Sequence, residues 1–380
     1  MDGARHVSLQ DRLAPDNRPS GFDYLRLTLA LLIVVDHSII VCLGSKAQYA
    51  LFSGIARPLM AGLVPMFFAL SGFLVASSLE RSRSIVTFVS LRLLRIFPAL
   101  AIDTLLCALC LGPLLTEQSL TSYFLSVNFH QYFLNMLGDV HFYLPGVFTK
   151  NPSTAVNAQL WTIPFELKCY LVLTIMAVVG LHRRRAWFIM AAVVVTMATA
   201  VYTTFHSFRA LDVWPLLVPT FLFGVGLYLY RDRIEWSVRM VVVAVPVTIA
   251  LLFQTSSLMI CAALPLAYVT IWLGLLRPAR VRLIRSGDYS YPIFLYSFPI
   301  QQTLFTLMPF ARIWWVNLVF ATPLAFVCAA LSWHFVEKPA QEGRRYIFAF
   351  ENLFAAPNAQ YSCTPLQRLW IGFIRRRRRV

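Results

Sequence analysis

The sequence predicts an all-α fold, a polytopic membrane helix bundle with about ten transmembrane helices and both termini cytoplasmic. Three observations predict it. Of 380 residues, 58% are hydrophobic and only 13% charged, and the apolar residues gather in runs long enough to cross a bilayer. The Lys and Arg residues fall in short blocks between those runs, as topology signals do. Many Trp and Tyr residues stand near the ends of the runs, where amphipathic rings settle at the membrane–water boundary.

Taken in order, the chain opens with a polar arm, residues 1–24. No small-residue cleavage site follows the first apolar run, and further runs come after it, so it reads as a retained helix and not a signal peptide. The spans fall at roughly 25–44, 58–79, 94–115, 160–180, 186–204, 214–230, 240–255, 257–276, 288–308 and 313–335. Only Gln254 to Ser257 divides the seventh from the eighth. Residues 25–339 therefore form one membrane domain, with a long outer connection at about 116–158 and a basic cytoplasmic tail at 340–380. Alternate connections, counted with Arg26 and Arg95 at the mouths of the adjoining spans, carry 27 Lys and Arg on one side, and five (Lys46, Arg57, Lys150, Arg209 and Arg312) stand on the other. That asymmetry places both termini in the cytoplasm. The five arginines Arg375 to Arg379 read as a topology anchor, attracted to an anionic inner leaflet by about 1 kcal/mol each.

Several function classes drop out. The net charge of +16 is dispersed among the connections, whereas a nucleic-acid reader would gather it on one soluble face with a matching motif. Seven cysteines, mostly inside apolar runs, make neither a disulfide framework nor a zinc pattern, and Cys107 and Cys110 read as small apolar helix residues. No metal site is expected; His130 and His141 are loop histidines without metal spacing. The aromatics of the outer connection (Phe124, Phe129, Tyr132, Phe133, Phe142, Tyr143 and Phe148) either stack on sugar rings or lie at the membrane interface. No internal repeat is visible, which weakens the case for a transporter of two related halves.

Three constellations could carry chemistry. In residues 21–40, Asp23 and Arg26 open a helix that carries Asp36 and His37 at depth, where ionisable groups are costly and mark function. Arg26 and His37 are 11 residues apart, hence within about 20° of one face and about 16 Å apart along the axis. Imidazole suits proton abstraction from a hydroxyl at neutral pH, although a lone intramembrane His can also simply pack. Asp36 projects about 100° away from His37, so it reads as a bystander or a contact to a second helix. In 91–100, Arg92 and Arg95 share a face at the cytoplasmic mouth of the third span. They suit phosphate recognition or act as positive-inside anchors. In 159–171, Glu166 stands near the outer end of the fourth span, at the depth expected of His37. A base and a carboxylate meeting there would suit acyl transfer. Tyr170 shares a stripe with Glu166, and Trp161 does not.

These stretches resemble the membrane-bound acyltransferase family 3, bacterial proteins that acylate extracytoplasmic glycans and some lipids. The matching pieces are Asp23-x-x-Arg26 with His37, PMFFALSGFL at 65–74, Arg92-x-x-Arg95 with Pro98, LWTIPFE at 160–166, SYPIFLYSFPI at 290–300 and FVEKP at 335–339. The resemblance implies an O-acyltransferase, most often an O-acetyltransferase, of the bacterial inner membrane. It would take an acyl group from cytoplasmic acetyl-CoA or another acyl-CoA and deliver it to a hydroxyl of a glycan or glycolipid. Exopolysaccharide, lipopolysaccharide O-antigen and lipid-linked oligosaccharide are the acceptor classes. By resemblance His37 is catalytic, with Glu166 positioning it or the acceptor, and Arg92 and Arg95, joined by Arg26, hold the donor. Asp23, Asp36 and Tyr170 support the site. Trp161 or a backbone amide near Ser71 could serve the oxyanion. About 40 residues follow the tenth span, without the soluble hydrolase-like domain of some relatives, so the chain is expected to act alone, with a separate periplasmic partner or as a homo-oligomer. The rival reading is a glycan transporter or flippase, in which the buried charges relay protons.

Overall fold

The computed structural model describes residues 7–13, 19–82, 84–206, 212–254 and 257–348; Arg209 and the Arg375–Arg379 run lie outside them. Ten apolar helices stand where the sequence places them. They are α1 (Gly21–Leu43), α2 (Arg57–Arg81), α3 (Ile85–Leu115), α4 (Ala158–Val178) and α5 (Arg185–Phe205). They continue with α6 (Trp214–Leu229), α7 (Val238–Leu252), α8 (Ser257–Gly274), α9 (Ser290–Leu307) and α10 (Trp314–Ser332). Seven of these, α1 to α5, α8 and α10 with its continuation, are long and apolar enough to cross a membrane, and α6 and α7 are shorter apolar helices. α9 is less apolar because it turns Ser297, Gln301 and Gln302 into the bundle. Among the described residues no β-strand forms; the β pairing present is one isolated antiparallel bridge, Ser8 to Glu235. The chain is an all-α, multi-pass membrane protein.

Local chemistry sets the helix ends. Ser84 caps α3 by accepting from the Thr87 amide at 3.1 Å, the bond expected of an N-cap. Pro58 and Pro215 sit in first turns, where a missing N–H costs nothing. Gly44 ends α1 at φ +81°, a conformation that side chains resist.

α2 and α6 form the tightest contact in the bundle. A Cβ on Gly72 would stand 2.1 Å from the Phe221 carbonyl oxygen, and one on Gly224 would stand 2.3 Å from that of Ala69. The two glycines let the backbones touch, as small residues do in membrane helix pairs. Gly72, within the Ser71-Gly72 pair considered for an oxyanion, therefore has a packing role.

The two ends of the bundle are chemically distinct. At one end the N-terminal arm docks on residues 231–236 through Leu9 N to Ile234 O and Gln10 N to Arg231 O, both 2.9 Å. There Arg12 lies 4.0 Å over the Trp236 ring, Arg277 donates to the Arg12 carbonyl, and Arg185 pairs with Asp232. The connections rich in arginine thus share one face.

At the other end, the outer connection builds its own small core. Tyr123, Phe129, Tyr132 and Phe148 are buried together, and Phe124, Phe129 and Phe133 meet edge to face. Most of these rings are engaged with one another, while Phe124 and Tyr143 stay exposed.

Arg57, at this same end, is only 2% exposed. Its guanidinium donates to the carbonyls of Leu252 (2.8 Å) and Gln254 (2.9 Å) at the C-terminal end of α7, and to that of Phe52 (2.8 Å) at the end of the short helix Ser45–Ser53. Arg57 is a structural cap as well as a charge at this end of the bundle. Arg57→Ala should lower stability by about 3 kcal/mol, because two buried acceptors and one part-buried acceptor lose a charged donor. Thermal unfolding in detergent measures this, and an unchanged midpoint would contradict it.

Candidate functional site

A cavity of about 120 Å³ opens among α1, α2, α3, α4 and α9. Three guanidinium groups, Arg26, Arg92 and Arg95, share it with Glu166, Tyr170 and Ser71. Arg26 is 4% exposed and forms an ion pair with Asp288, just ahead of α9; Asp288 also receives Arg95 at 3.4 Å and the Ser290 hydroxyl at 2.8 Å. A charge at this depth persists only when paired, and Asp288 serves two arginines at once. Arg92 donates from Nη2 to Ser78 Oγ at 3.1 Å, while its Nε is buried with no partner among the described residues. Tyr170 donates to the Glu166 carboxylate one turn earlier on α4, and both groups lie close enough to attract Arg92.

His37 sits beyond this cavity. It is 8% exposed and meets the Phe298 ring edge-on at 5.1 Å; its Nδ1 has no partner among the described residues. Two helix faces lead from the cavity to it. On α1, Arg26 and Ile33 line the cavity, and His37 follows Ile33 by four residues. On α9, Ser290 and Phe294 line it, and Phe298 follows Phe294 by four residues. The cavity therefore stops about one helical turn, roughly 5 Å, short of His37, closed by Ile33 and Phe294.

The expected meeting of His37 and Glu166 is not what the geometry brings together: Glu166 keeps company with the arginines. The reason is a descent of the chain into the bundle before α4. Gln302 accepts from the Asn151 amide at 2.7 Å and donates to the carbonyls of Ser153 (2.8 Å) and Ala155 (2.7 Å). Asn157 then donates to the buried Asp103 of α3 at 2.8 Å, and Gln159 to the Leu295 carbonyl at 2.6 Å. Leu295 is seven residues deeper on α9 than Gln302, about 10 Å along the axis. Residues Ala158–Thr162 continue as a 3₁₀ turn, which advances about 2 Å per residue. Glu166 is thereby carried past the level of His37 to that of Arg92 and Arg95.

The remaining sequence candidates separate cleanly. Asp36 accepts from Gln48 on the neighbouring short helix at 2.9 Å, an inter-helix contact as expected. Trp161 packs against Phe165 with ring centroids 6.0 Å apart and is not among the cavity residues. Asp23 lines a second cavity, of about 270 Å³, at the mouth formed by Arg95, Arg285 and Asp288. Asp288 itself was missed, although an acid directly ahead of the SYPIFLYSFPI stretch was a signal. Asp103, Gln301 and Gln302, polar groups inside apolar runs, carried the same kind of signal. Gln301 donates to Ser38 Oγ at 2.6 Å and to the Val34 carbonyl at 2.9 Å, fixing the helix that bears His37. Glu337 of the FVEKP stretch is 4% exposed, accepts from Ser332 at 3.2 Å, and lies near Arg95 and Arg26.

An apolar bundle thus encloses an arginine-lined cavity, with a buried histidine beyond it, and comparison with known proteins identifies the family. The family model described as an acyltransferase domain (acyltransferase 3) matches residues 20–335, and the chain belongs to that family. It is 26% identical over 339 residues to the O-acetyl transferase of Shigella phage Sf6, covering 83% of this chain and 94% of that one. It is 29% identical over 319 residues to Nodulation protein 10 of Rhizobium leguminosarum bv. viciae, covering 75% and 83%. No solved structure matches the chain.

Asp288→Ala removes the carboxylate from the buried Arg26 and should destabilise by about 3 kcal/mol. Asp232→Ala, which breaks the exposed pair with Arg185, should cost under about 1 kcal/mol. Equal shifts in melting temperature would refute the structural weight given to Asp288.

Proposed function

We propose that this acyltransferase moves an acetyl or related acyl group from acyl-CoA, bound at the arginine-rich end of the bundle, to a hydroxyl of an extracytoplasmic glycan or glycolipid. The observation that carries the reading is the alignment on α1 and α9: the helix faces that line the arginine cavity lead on, one turn beyond its end, to His37 and Phe298. It accords with the printed name of the phage relative.

In this scheme the CoA pyrophosphate lies against Arg92 and Arg95. A guanidinium offers two parallel donors to an oxyanion, and the unpartnered Arg92 Nε gives it one more. Arg26, fixed by Asp288, contributes positive charge and forms part of the wall. The slender pantetheine arm runs along the apolar face past Ser71 and parts Ile33 and Phe294 to bring the thioester carbonyl to His37. There the acceptor hydroxyl gives its proton to the imidazole as its oxygen attacks the carbonyl carbon. The C–S bond then breaks, and the proton passes from His37 to the departing thiolate. Glu166, held by Tyr170, acts at the donor end: it balances Arg92 and sets its direction. The arginine-rich end is the cytoplasmic one by the positive-inside rule, and the membrane is the bacterial inner membrane.

His37→Ala should abolish acyl transfer in membranes without changing protein abundance, and near-normal activity would sink the assignment. Arg92→Ala should raise the apparent donor KM by about tenfold or more, the loss of one charge-assisted contact; an unchanged donor dependence would count against the phosphate role. Mass spectrometry of the surface glycan with and without the gene separates transfer from transport. Loss of an acyl increment supports transfer, and loss of the whole glycan supports export.

A further inference from the structure

The arginine cavity has an antechamber. A second hollow, of about 320 Å³, adjoins it and shares Arg92 and Arg95, adding Arg81 from the end of α2 and Arg344 from the segment after α10. Four guanidinium groups thus line it, with no Asp or Glu among the described lining residues. The neighbouring 270 Å³ cavity, by contrast, sets Arg95 and Arg285 against Asp23 and Asp288. Of the two, only the former has a charged lining that is wholly basic, an arrangement suited to a multiply charged anion.

The two arginine hollows are stations on one helix face. On α2, Ser71, Leu74 and Val75 line the inner cavity, and Ser78 and Arg81, with Ser82 just past the helix end, line the antechamber. These positions follow one another at three- and four-residue steps, as one stripe must. Ser78 also accepts from Arg92, so the stripe passes directly over the proposed pyrophosphate site. Beyond that point the donor still carries adenosine with its ribose 3′-phosphate, and Arg81, Arg344 and Phe348 are what the antechamber holds for it.

We propose that Arg81 and Arg344 form the subsite for the 3′-phosphate of the acyl-CoA nucleotide, at the entrance of the donor path. This rests on the donor reading above and adds a discrimination to it. The chain would distinguish CoA from the otherwise identical dephospho-CoA, which an arginine pair serving only the pyrophosphate would not. A phosphate dianion between two guanidinium groups gains charge-assisted, paired hydrogen bonds; the Phe348 ring offers the adenine a stacking face. The same arginines could otherwise hold an anionic lipid headgroup, which shares the phosphate chemistry.

The test is calorimetric titration of the full chain in phosphatidylcholine nanodiscs with CoA and with 3′-dephospho-CoA. The expected result is about tenfold tighter binding of CoA, and in the double variant R81Q/R344Q a fall of CoA to the affinity of dephospho-CoA, which itself stays unchanged. Equal affinity of the wild-type chain for the two ligands overturns the 3′-phosphate subsite while leaving the donor reading intact. Binding of neither overturns the donor reading as well. A folded double variant that keeps the preference for CoA overturns the assignment to Arg81 and Arg344, and the single variants R81Q and R344Q, each expected to lose part of the preference, decide where the double variant fails to fold. Repeating the titration with phosphatidylglycerol in the nanodiscs distinguishes the sources. Wild-type preference for CoA that persists supports the nucleotide, and preference that vanishes in a manner dependent on Arg81 and Arg344 assigns them to the headgroup.

Discussion

Backbone that leaves its helix below the membrane surface must find partners for its N–H and C=O groups inside the protein, because lipid offers none. The descent into α4 meets that demand with side-chain amides. Gln302 reaches the carbonyls of Ser153 and Ala155, and Gln159 anchors the segment to the Leu295 carbonyl. Asn157 is held by Asp103, which is itself fully buried. These bonds set the depth at which α4 begins, hence the depth of Glu166, and hence which residues face one another across the cavity. Were the connection to stay at the surface, Glu166 would stand nearer His37 and Arg92 would lose its acidic neighbour.

Charge is apportioned around that frame in two ways. Arg26 and Arg95 converge on Asp288, while Glu337 stands nearby on the segment leaving α10. Arg92 is treated differently: a hydroxyl steadies one nitrogen and Nε is left over. Groups tied into ion pairs hold the walls of a site, whereas a buried donor with spare capacity is what an incoming anion can complete. The three arginines of one cavity are therefore held differently despite their identical chemistry.

The number of helices, their order and the sidedness of the basic connections were all legible from hydropathy and charge spacing, since those signals are local. The pairing of Arg26 and His37 on one face was legible too, because a continuous helix has a known pitch. Glu166 was misplaced because its depth is set by bonds from α3 and α9 to a non-helical segment, and no periodicity encodes such a descent. Asp288 was overlooked for a related reason: it lies in a connection, where an acid is ordinarily solvated, and only tertiary folding brings it to Arg26. Arg57 counted as a topology charge, whereas its carbonyl partners on α7 are about 195 residues away in the chain. What local pattern could not supply was long-range hydrogen bonding by polar side chains.

The apolar turn between the arginine cavity and His37 has a consequence for the energetics of the cell. An energised membrane cannot contain a continuous aqueous pore beside an exchangeable proton site without dissipating its gradient. Ile33, Phe294 and Phe298 set apolar side chains between the arginine cavity and His37; a hydrated ion passes such a barrier only by shedding its water, whereas an acyl chain pays no such penalty. In the proposed scheme these side chains would act as an insulator, passing a carbon arm while blocking protons and cations.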